Sequence, residues 1–180
     1  MVISGGRHSA NSTILSTVHR IKWLVDNGPD QDGKLALAIE KMPNLNVARR
    51  DHASCALGSS IFVFCGKSSA SCRQSLNTIE RLNLTSSNSS RRSQSYWQLI
   101  RQNQANLAPR YQPAVAQISQ YEVAILGGWS NQAHKRLGDV VYFDTRSHAC
   151  VRRFEGRQNG AGEDCNNYND DDVERSDVKF

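Results

Sequence analysis

The sequence has no long hydrophobic run, and its first residues do not resemble an export signal. No stretch approaches the roughly 18 apolar residues of a membrane-spanning helix, so no membrane association is expected. The segment from Met1 lacks a basic start followed by an apolar core, so no secretory signal is predicted. The hydrophobic fraction of 38% is slightly low for a globular domain but is not that of a disordered chain.

Closely spaced metal ligands and familiar catalytic motifs are also missing. The five cysteines form no C-x-x-C pair and the five histidines are scattered, so no metal site is predicted. An odd number of cysteines without an export signal predicts reduced thiols and a cytoplasmic location. No G-x-S-x-G, H-E-x-x-H, P-loop or G-x-G-x-x-G occurs. We therefore expect no catalytic residues, no cofactor and no enzymatic activity.

Charge is present but unevenly distributed. The chain of 180 residues has 22 Lys plus Arg and 17 Asp plus Glu, a net +5. Residues 155–180 contain 8 of the acids and 3 of the bases, a net −5, which leaves +10 for residues 1–154. The acidic tail, 155–180, is predicted to be disordered, and the basic body to carry the fold.

An internal repeat of about 61 residues organises the body. Apolar runs end in glycine-containing turns at Gly5, Cys65 and Gly127, at intervals of 60 and 62 residues. The segments starting at Thr17, Thr78 and Asp139 match at offsets of 61, as do Arg49 and Arg110. Repeats of this length indicate stacked supersecondary units. We divide the body into a partial unit, 1–47, and two further units, 48–108 and 109–154.

Each unit reads as short strands. Residues 61–64 and 123–126 are β-branched or aromatic runs ended by glycine turns, and 78–82 alternates apolar with polar residues. Further strands are predicted at 52–57, 96–100 and 113–118, joined by loops of hairpin length. No window shows a helical stripe. The predicted fold class is all-β, built from four-stranded antiparallel units.

The ordered set of motif residues resembles the kelch repeat, a four-stranded β-propeller blade, over residues 1–154. The matching positions are Gly5, Gly6, Arg49, His52, Cys65, Gly66, Trp97, Arg110, Gly127, Gly128 and Tyr142. Three departures stand out: Cys65 replaces a glycine, Leu82 replaces an aromatic residue, and the third unit has no tryptophan in its fourth strand. The resemblance implies about three blades of an incomplete propeller. A piece of a longer propeller, or self-association that completes the ring, would explain that count.

The resemblance also implies a non-catalytic scaffold or adaptor that binds a protein partner through inter-strand loops. In an antiparallel four-stranded unit, the loops between strands 2 and 3 share one face with the linkers between units. Those loops are rich in Arg and Lys without acids, which suits an acidic segment of a partner. The predicted partner-binding residues are Arg7, His8, Lys67, Arg73, Gln74, Trp129, Asn131, His134, Lys135 and Arg136.

Other functions stay open at this stage. Kelch propellers include substrate-recognition parts of cullin-type ubiquitin ligase adaptors, actin-binding scaffolds and a copper enzyme, galactose oxidase. The chain lacks the upstream BTB domain of the ligase adaptors and a clustered set of copper ligands. Nucleic acid is disfavoured as the acidic partner because aromatic residues make up only 7% of the chain and no nucleic-acid-binding motif is present.

Overall fold

A computed structural model describes residues 1–8, 13–23, 37–68, 74–84, 96–100 and 106–155. Within these ranges the chain is all-β, which confirms the all-β part of the predicted fold class. The described residues include no helix of the length and apolar character needed to cross a bilayer. The predicted disorder of the tail concerns residues that, from 156 onward, lie outside the description.

Three antiparallel sheets of three or four strands follow one another along the described chain, and a two-stranded hairpin accompanies the third. The first contains β1 (Val2–Ser4), β2 (Val18–Trp23) and β3 (Leu37–Met42) in that order. The second contains β4 (Ala53–Leu57), β5 (Ser60–Phe64), β6 (Ile79–Asn83) and β7 (Trp97–Ile100). The third contains β8 (Ala114–Gln117), β9 (Glu122–Leu126), β12 (Asp139–Asp144) and β13 (Ala149–Glu155), with the hairpin of β10 (Trp129–Ser130) and β11 (Lys135–Arg136) between β9 and β12.

Most strands lie where the sequence pattern predicts them, whereas no range was predicted for β3 or β13. Within each sheet, every strand pairs with the strand of that sheet that comes next along the chain. Each unit is therefore a meander, in which neighbours in sequence are neighbours in space. The residues predicted at 52–57, 61–64, 78–82 and 96–100 form the second sheet within a residue or two. The hairpin of β10 and β11 spans the residues predicted as the loop between strands 2 and 3 of the third unit, 129–136, and its pairing is a finding of the structure.

Apolar side chains from both faces of the second sheet form two cores. Ile61 and Val63 face the first sheet, whereas Phe62 and Phe64 face the third, because alternate residues of a strand point to opposite sides. The ring of Phe143 lies edge-on to both Phe62 and Phe64, with centroids 5.9 and 5.8 Å away. The second sheet is therefore enclosed, with a neighbour on each face.

A recurring set of backbone hydrogen bonds joins each sheet to the next. Gly6 N–H donates to the carbonyl of Arg49, and Gly66 N–H donates to the carbonyl of Arg110, both at 2.9 Å. The residues directly before Gly6, Gly66 and Gly128 have positive φ values: 62° at Gly5, 60° at Cys65 and 55° at Gly127. The turns that follow β1, β5 and β9 thus share the same backbone conformation at this residue. Cys65 adopts the left-handed conformation that glycine takes at the other two positions.

Candidate protein-binding face

Two buried arginines anchor the linkers between sheets. Arg110 is fully buried and donates from Nη1 and Nη2 to the two carboxylate oxygens of Asp139, at 2.7 and 2.8 Å. Arg49, 61 residues earlier, donates from Nη2 to one carboxylate oxygen, Oε1, of the buried Glu80. Each also donates to a turn carbonyl, Arg49 to Cys65 and Arg110 to Gly127. The bidentate contact of Arg110 and the single contact of Arg49 are both enclosed, and together with the carbonyl bonds they hold the linker backbone in one position.

The anchored linkers lie against the loops that leave the second strand of each unit. Arg50 and Lys67 exchange two backbone hydrogen bonds, of 3.0 and 2.8 Å, and Tyr111 and Trp129 exchange an equivalent pair of 3.0 and 2.9 Å. Neighbouring loops also touch, since the N–H of Asn131 donates to Ser75 Oγ at 3.3 Å. The linkers and the described parts of these loops therefore form one continuous surface, which we call the linker face.

A small open cavity lies on the linker face beside the hairpin. It has a volume of about 340 Å³ and is lined by Tyr111, Gln112, Gly128, Trp129, Arg136 and Leu137. Trp129 and Arg136 are directly opposite in the β10–β11 register, so the indole and the guanidinium share one side of the hairpin. Two aromatic side chains and a cation thus converge on one depression. Tyr111 and Gln112 were not predicted, although their position just after the repeated Arg110 places them on this face.

The cations of this surface fall into two groups. Arg7, Lys135 and Arg136 are exposed. Lys67, in contrast, is only 7% exposed, and its Nζ lies 3.5 Å from the centroid of the Tyr111 ring. A cation in this position is held by the electron-rich face of the ring. Lys67 therefore supports Tyr111 from beneath, and the accessible positive charge lies on the hairpin and at Arg7.

The carboxylates near this surface are occupied by arginines. Asp139 pairs with Arg110 and also with Arg152, at 3.1 Å. Burial acts to raise the pKa of Asp139, but the hydrogen bonds and charges of these two arginines outweigh it and hold that pKa below its ordinary value. The one carboxylate of the described linkers, Asp51, pairs with Arg50 at 3.2 Å. No carboxylate in the described part of the face is left to offset the exposed cations.

The remaining predicted binding residues lie at this surface in different degrees. His8, Gln74 and His134 are exposed, Trp129 and Asn131 are half-buried, and Arg73 lies outside the described residues. Gln74 accepts a hydrogen bond from Ser68 Oγ at 3.3 Å. The hairpin brings Trp129 together with four other predicted residues, Asn131, His134, Lys135 and Arg136. Arg7 and His8 belong to the loop of the first unit.

The motif residues lie inside the structure. The Nε1 of Trp97 donates to the carbonyl of Pro43 at 2.9 Å, which ties the second sheet to the linker before it. Nε2 of His52 is hydrogen-bonded to Ser4 Oγ at 2.9 Å, a contact between the first two sheets. Tyr142 is half-buried in β12. The contacts of Trp97 and His52 therefore join one unit to the next.

The described thiols and the buried histidine are in electrostatic environments that favour their neutral forms. Burial raises the pKa of Cys65 and Cys150 to about 12 and that of Cys55 to about 11. Burial, together with the charge of Arg49, lowers the pKa of His52 to about 4. In the described part of the chain no group of three or more His, Cys, Asp and Glu is placed to hold a metal ion.

A second cavity lies at the opposite ends of the strands and was not predicted. It has a volume of about 450 Å³ and is bounded by the turns β4–β5, β8–β9 and β12–β13. Arg81 and Arg146 line it, but Arg81 donates to Ser60 Oγ at 3.0 Å, and Arg146 lies over the Tyr121 ring. Its cations therefore already have local partners.

Comparison with known proteins leaves the family open. No protein-family model matches the chain, and no curated protein matches it. Functional inference therefore depends on the geometry described above.

Proposed function

We propose that the chain is a non-catalytic binding module, a segment of a kelch-type β-propeller of about three blades. The proposal of propeller blades is supported by meandering sheets that stack face to face at a period of about 61 residues. It is also supported by the equivalent arginine anchors, Arg49 and Arg110, and by the repeated turns they contact.

We further propose that the linker face binds an acidic segment of a protein partner. The observation that carries this proposal is the β10–β11 hairpin. There Trp129 and Arg136 face one cavity, Lys135 is exposed beside them, and the nearby described carboxylates are paired with arginines. An arginine beside an indole offers fixed donors to a carboxylate and a flat surface for an apolar or aromatic neighbour.

A peptide selection tests this proposal without assuming a partner. A displayed library of random peptides is selected against the full chain, and the enriched peptides are measured by fluorescence anisotropy. We expect acidic sequences that contain an aromatic or large apolar residue. The double variant Lys135→Glu/Arg136→Glu is expected to weaken their binding at least tenfold, because two attractive charges become repulsive ones.

The matched control is Arg146→Glu, which reverses an exposed cation at the opposite ends of the strands. It should leave the peptide affinity within about twofold, since that charge is beyond a Debye length in salt near physiological strength. The double variant changes the net charge by four and the control by two, so a loss of binding free energy in the control about half that of the double variant would reduce the effect to net charge. An unchanged affinity in the hairpin variant would exclude the linker face as the binding site.

A further inference from the structure

The same sheet-to-sheet interface occurs twice within the chain. We call the face of a sheet that lies toward the preceding sheet its leading face, and the opposite face its trailing face. The trailing face of the first sheet packs on the leading face of the second, and the trailing face of the second packs on the leading face of the third. In β5, Val63 belongs to the leading face and Phe64 to the trailing face. Two equivalent contacts define a single mode of association.

The leading face of the first sheet has the composition of an interface and is exposed. Ile3 and Ile21 occupy the positions of Val63 and Leu82 in the next unit, and Ile39 is opposite Ile21 as Trp97 is opposite Leu82. Val63, Leu82 and Trp97 are at most 2% exposed, whereas Ile3 is 51% and Ile39 is 70% exposed. The register also places His19 and Lys41 on this face, and among the described residues no element packs over its isoleucines.

The trailing face of the third sheet is exposed in the same way. Leu126 corresponds to Phe64, which is fully buried between the second and third sheets, yet Leu126 is 37% exposed. Cross-strand pairing places Ala116, Tyr142 and Val151 on the same face, and Val151 is also exposed. The described part of the chain therefore has a leading face at one side and a trailing face at the other, each with exposed apolar side chains.

We propose that the leading face of the first sheet binds the trailing face of the third sheet of a second copy of this chain. The partner is identified by the interface itself, because this pair of faces is the pair that associates twice within one copy. The described residues of one copy form three sheets of three or four strands, so two copies joined at both ends supply six such sheets, within the roughly four to eight that close a propeller, and three copies would supply nine. A closed pair leaves no apolar sheet face in water. The inference rests on the propeller fold proposed above.

Sedimentation velocity of the full chain across a hundredfold range of concentration tests the proposal. The wild-type chain is expected to sediment as a species of twice the chain mass. Ile39→Lys on the leading face and Leu126→Lys on the trailing face should each raise the dissociation constant at least tenfold, because each places a charge in an apolar contact. Leu99→Lys, at an exposed site on the edge strand β7 away from both faces, is the matched control and should leave the mass unchanged.

Mixing the two variants tests the head-to-tail geometry. The Leu126→Lys copy retains an intact leading face and the Ile39→Lys copy an intact trailing face, so an equimolar mixture should associate although each variant alone is monomeric. If Ile39→Lys does not fold, Ile39→Gln replaces it. Folding of the replacement is checked by comparing its far-ultraviolet circular dichroism spectrum with that of the wild type.

Three results would overturn the proposal. They are a monomeric wild-type chain at every concentration, a loss of association in only one of the two face variants, or a mass that grows without limit. Peptide binding by the linker face can be measured separately on the monomeric Ile39→Lys variant. A failure of self-association is thereby distinguished from a failure of the proposed binding function.

Discussion

The second and third sheets use the same arginine anchor but supply its counter-charge from different places. Arg49 and Arg110 are 61 residues apart and donate to equivalent turn carbonyls. The third sheet provides Asp139, at the first residue of β12. The second sheet has Thr78 at the equivalent position, and its carboxylate comes from Glu80, two residues further along β6 and on the same face. A longer side chain from a more distant position reaches the same guanidinium.

This difference separates what the repeat requires from what it leaves free. The arginine and the carbonyls that it contacts are fixed by the path of the backbone. The acid can move by two residues, because residues i and i+2 of a strand share a face. The surroundings also differ: Glu80 accepts hydrogen bonds from the backbone N–H groups of Asn46 and Val47, whereas Asp139 has Arg152 as a second cation.

The largest expected effect comes from removing each anchor in turn. Arg49→Met should destabilise the chain by about 3–5 kcal/mol, because it leaves Glu80 buried without a counter-charge. Arg110→Met should cost at least about 1 kcal/mol less, since Arg152 continues to neutralise Asp139. Urea unfolding monitored by tryptophan fluorescence measures both. The exposed pair of Arg146 and Asp144 supplies the control, and Arg146→Met should cost less than about 0.5 kcal/mol. Equal losses at Arg49 and Arg110 would contradict the role given to Arg152.

The arginine anchors, Arg49 and Arg110, show which parts of the fold can be predicted from the sequence. The strands and the two arginines were predicted because periodicity and the 61-residue offset are local and repeated features. The acids were not, since Glu80 and Asp139 do not match each other at that offset. Glu80 was interpreted as the polar side of a half-buried strand, whereas both faces of β6 are covered. Burial of this kind depends on which sheets lie on either side.

The linker face was predicted in part, for a similar reason. The convergence of the loops follows from the order of strands in an antiparallel unit, and Trp129, Lys135 and Arg136 lie together as that order requires. Lys67 was predicted as an accessible cation, but Tyr111 lies over it. This contact joins residues of adjacent units, 44 positions apart in sequence. The residues near Lys67 in the sequence therefore do not predict its contact with Tyr111.

The two sheets should also differ in acid, because His52 of the second unit occupies the position of Pro113 in the third. The pKa of His52 is about 4 in the folded chain, against an ordinary value of 6.5. The unfolded chain therefore binds a proton between pH 6.5 and 4 that the folded chain does not. Stability contributed by neutral His52 is lost as the pH falls through this window, by on the order of 2–3 kcal/mol.

Urea midpoints measured at pH 7 and pH 4 for wild type and His52→Gln isolate this contribution. Glutamine is long enough to reach Ser4 and does not titrate, so the variant should lose less stability than the wild type on acidification. His134→Gln, at an exposed site on the hairpin, is the control and should lose as much stability as the wild type between pH 7 and pH 4. If the wild type and His52→Gln lose the same stability, His52 is not the group responsible.

The smallest effect concerns a feature that the two sheets share, and here they should respond alike. Gly66 and Gly128 have φ values of 101° and 99°, and a Cβ at either would lie within 2.8 Å of a linker carbonyl oxygen, that of Arg50 or Tyr111. Gly66→Ala and Gly128→Ala should each cost about 2 kcal/mol, because the clash and the strained φ act together. Gly58→Ala is the control: its φ is 56° but the space around it is open, so strain alone should cost about 1 kcal/mol. Thermal unfolding would measure all three variants. A loss at Gly66 no greater than that at Gly58 would show that the linker can move away, and that the arginine anchors do not hold it rigidly.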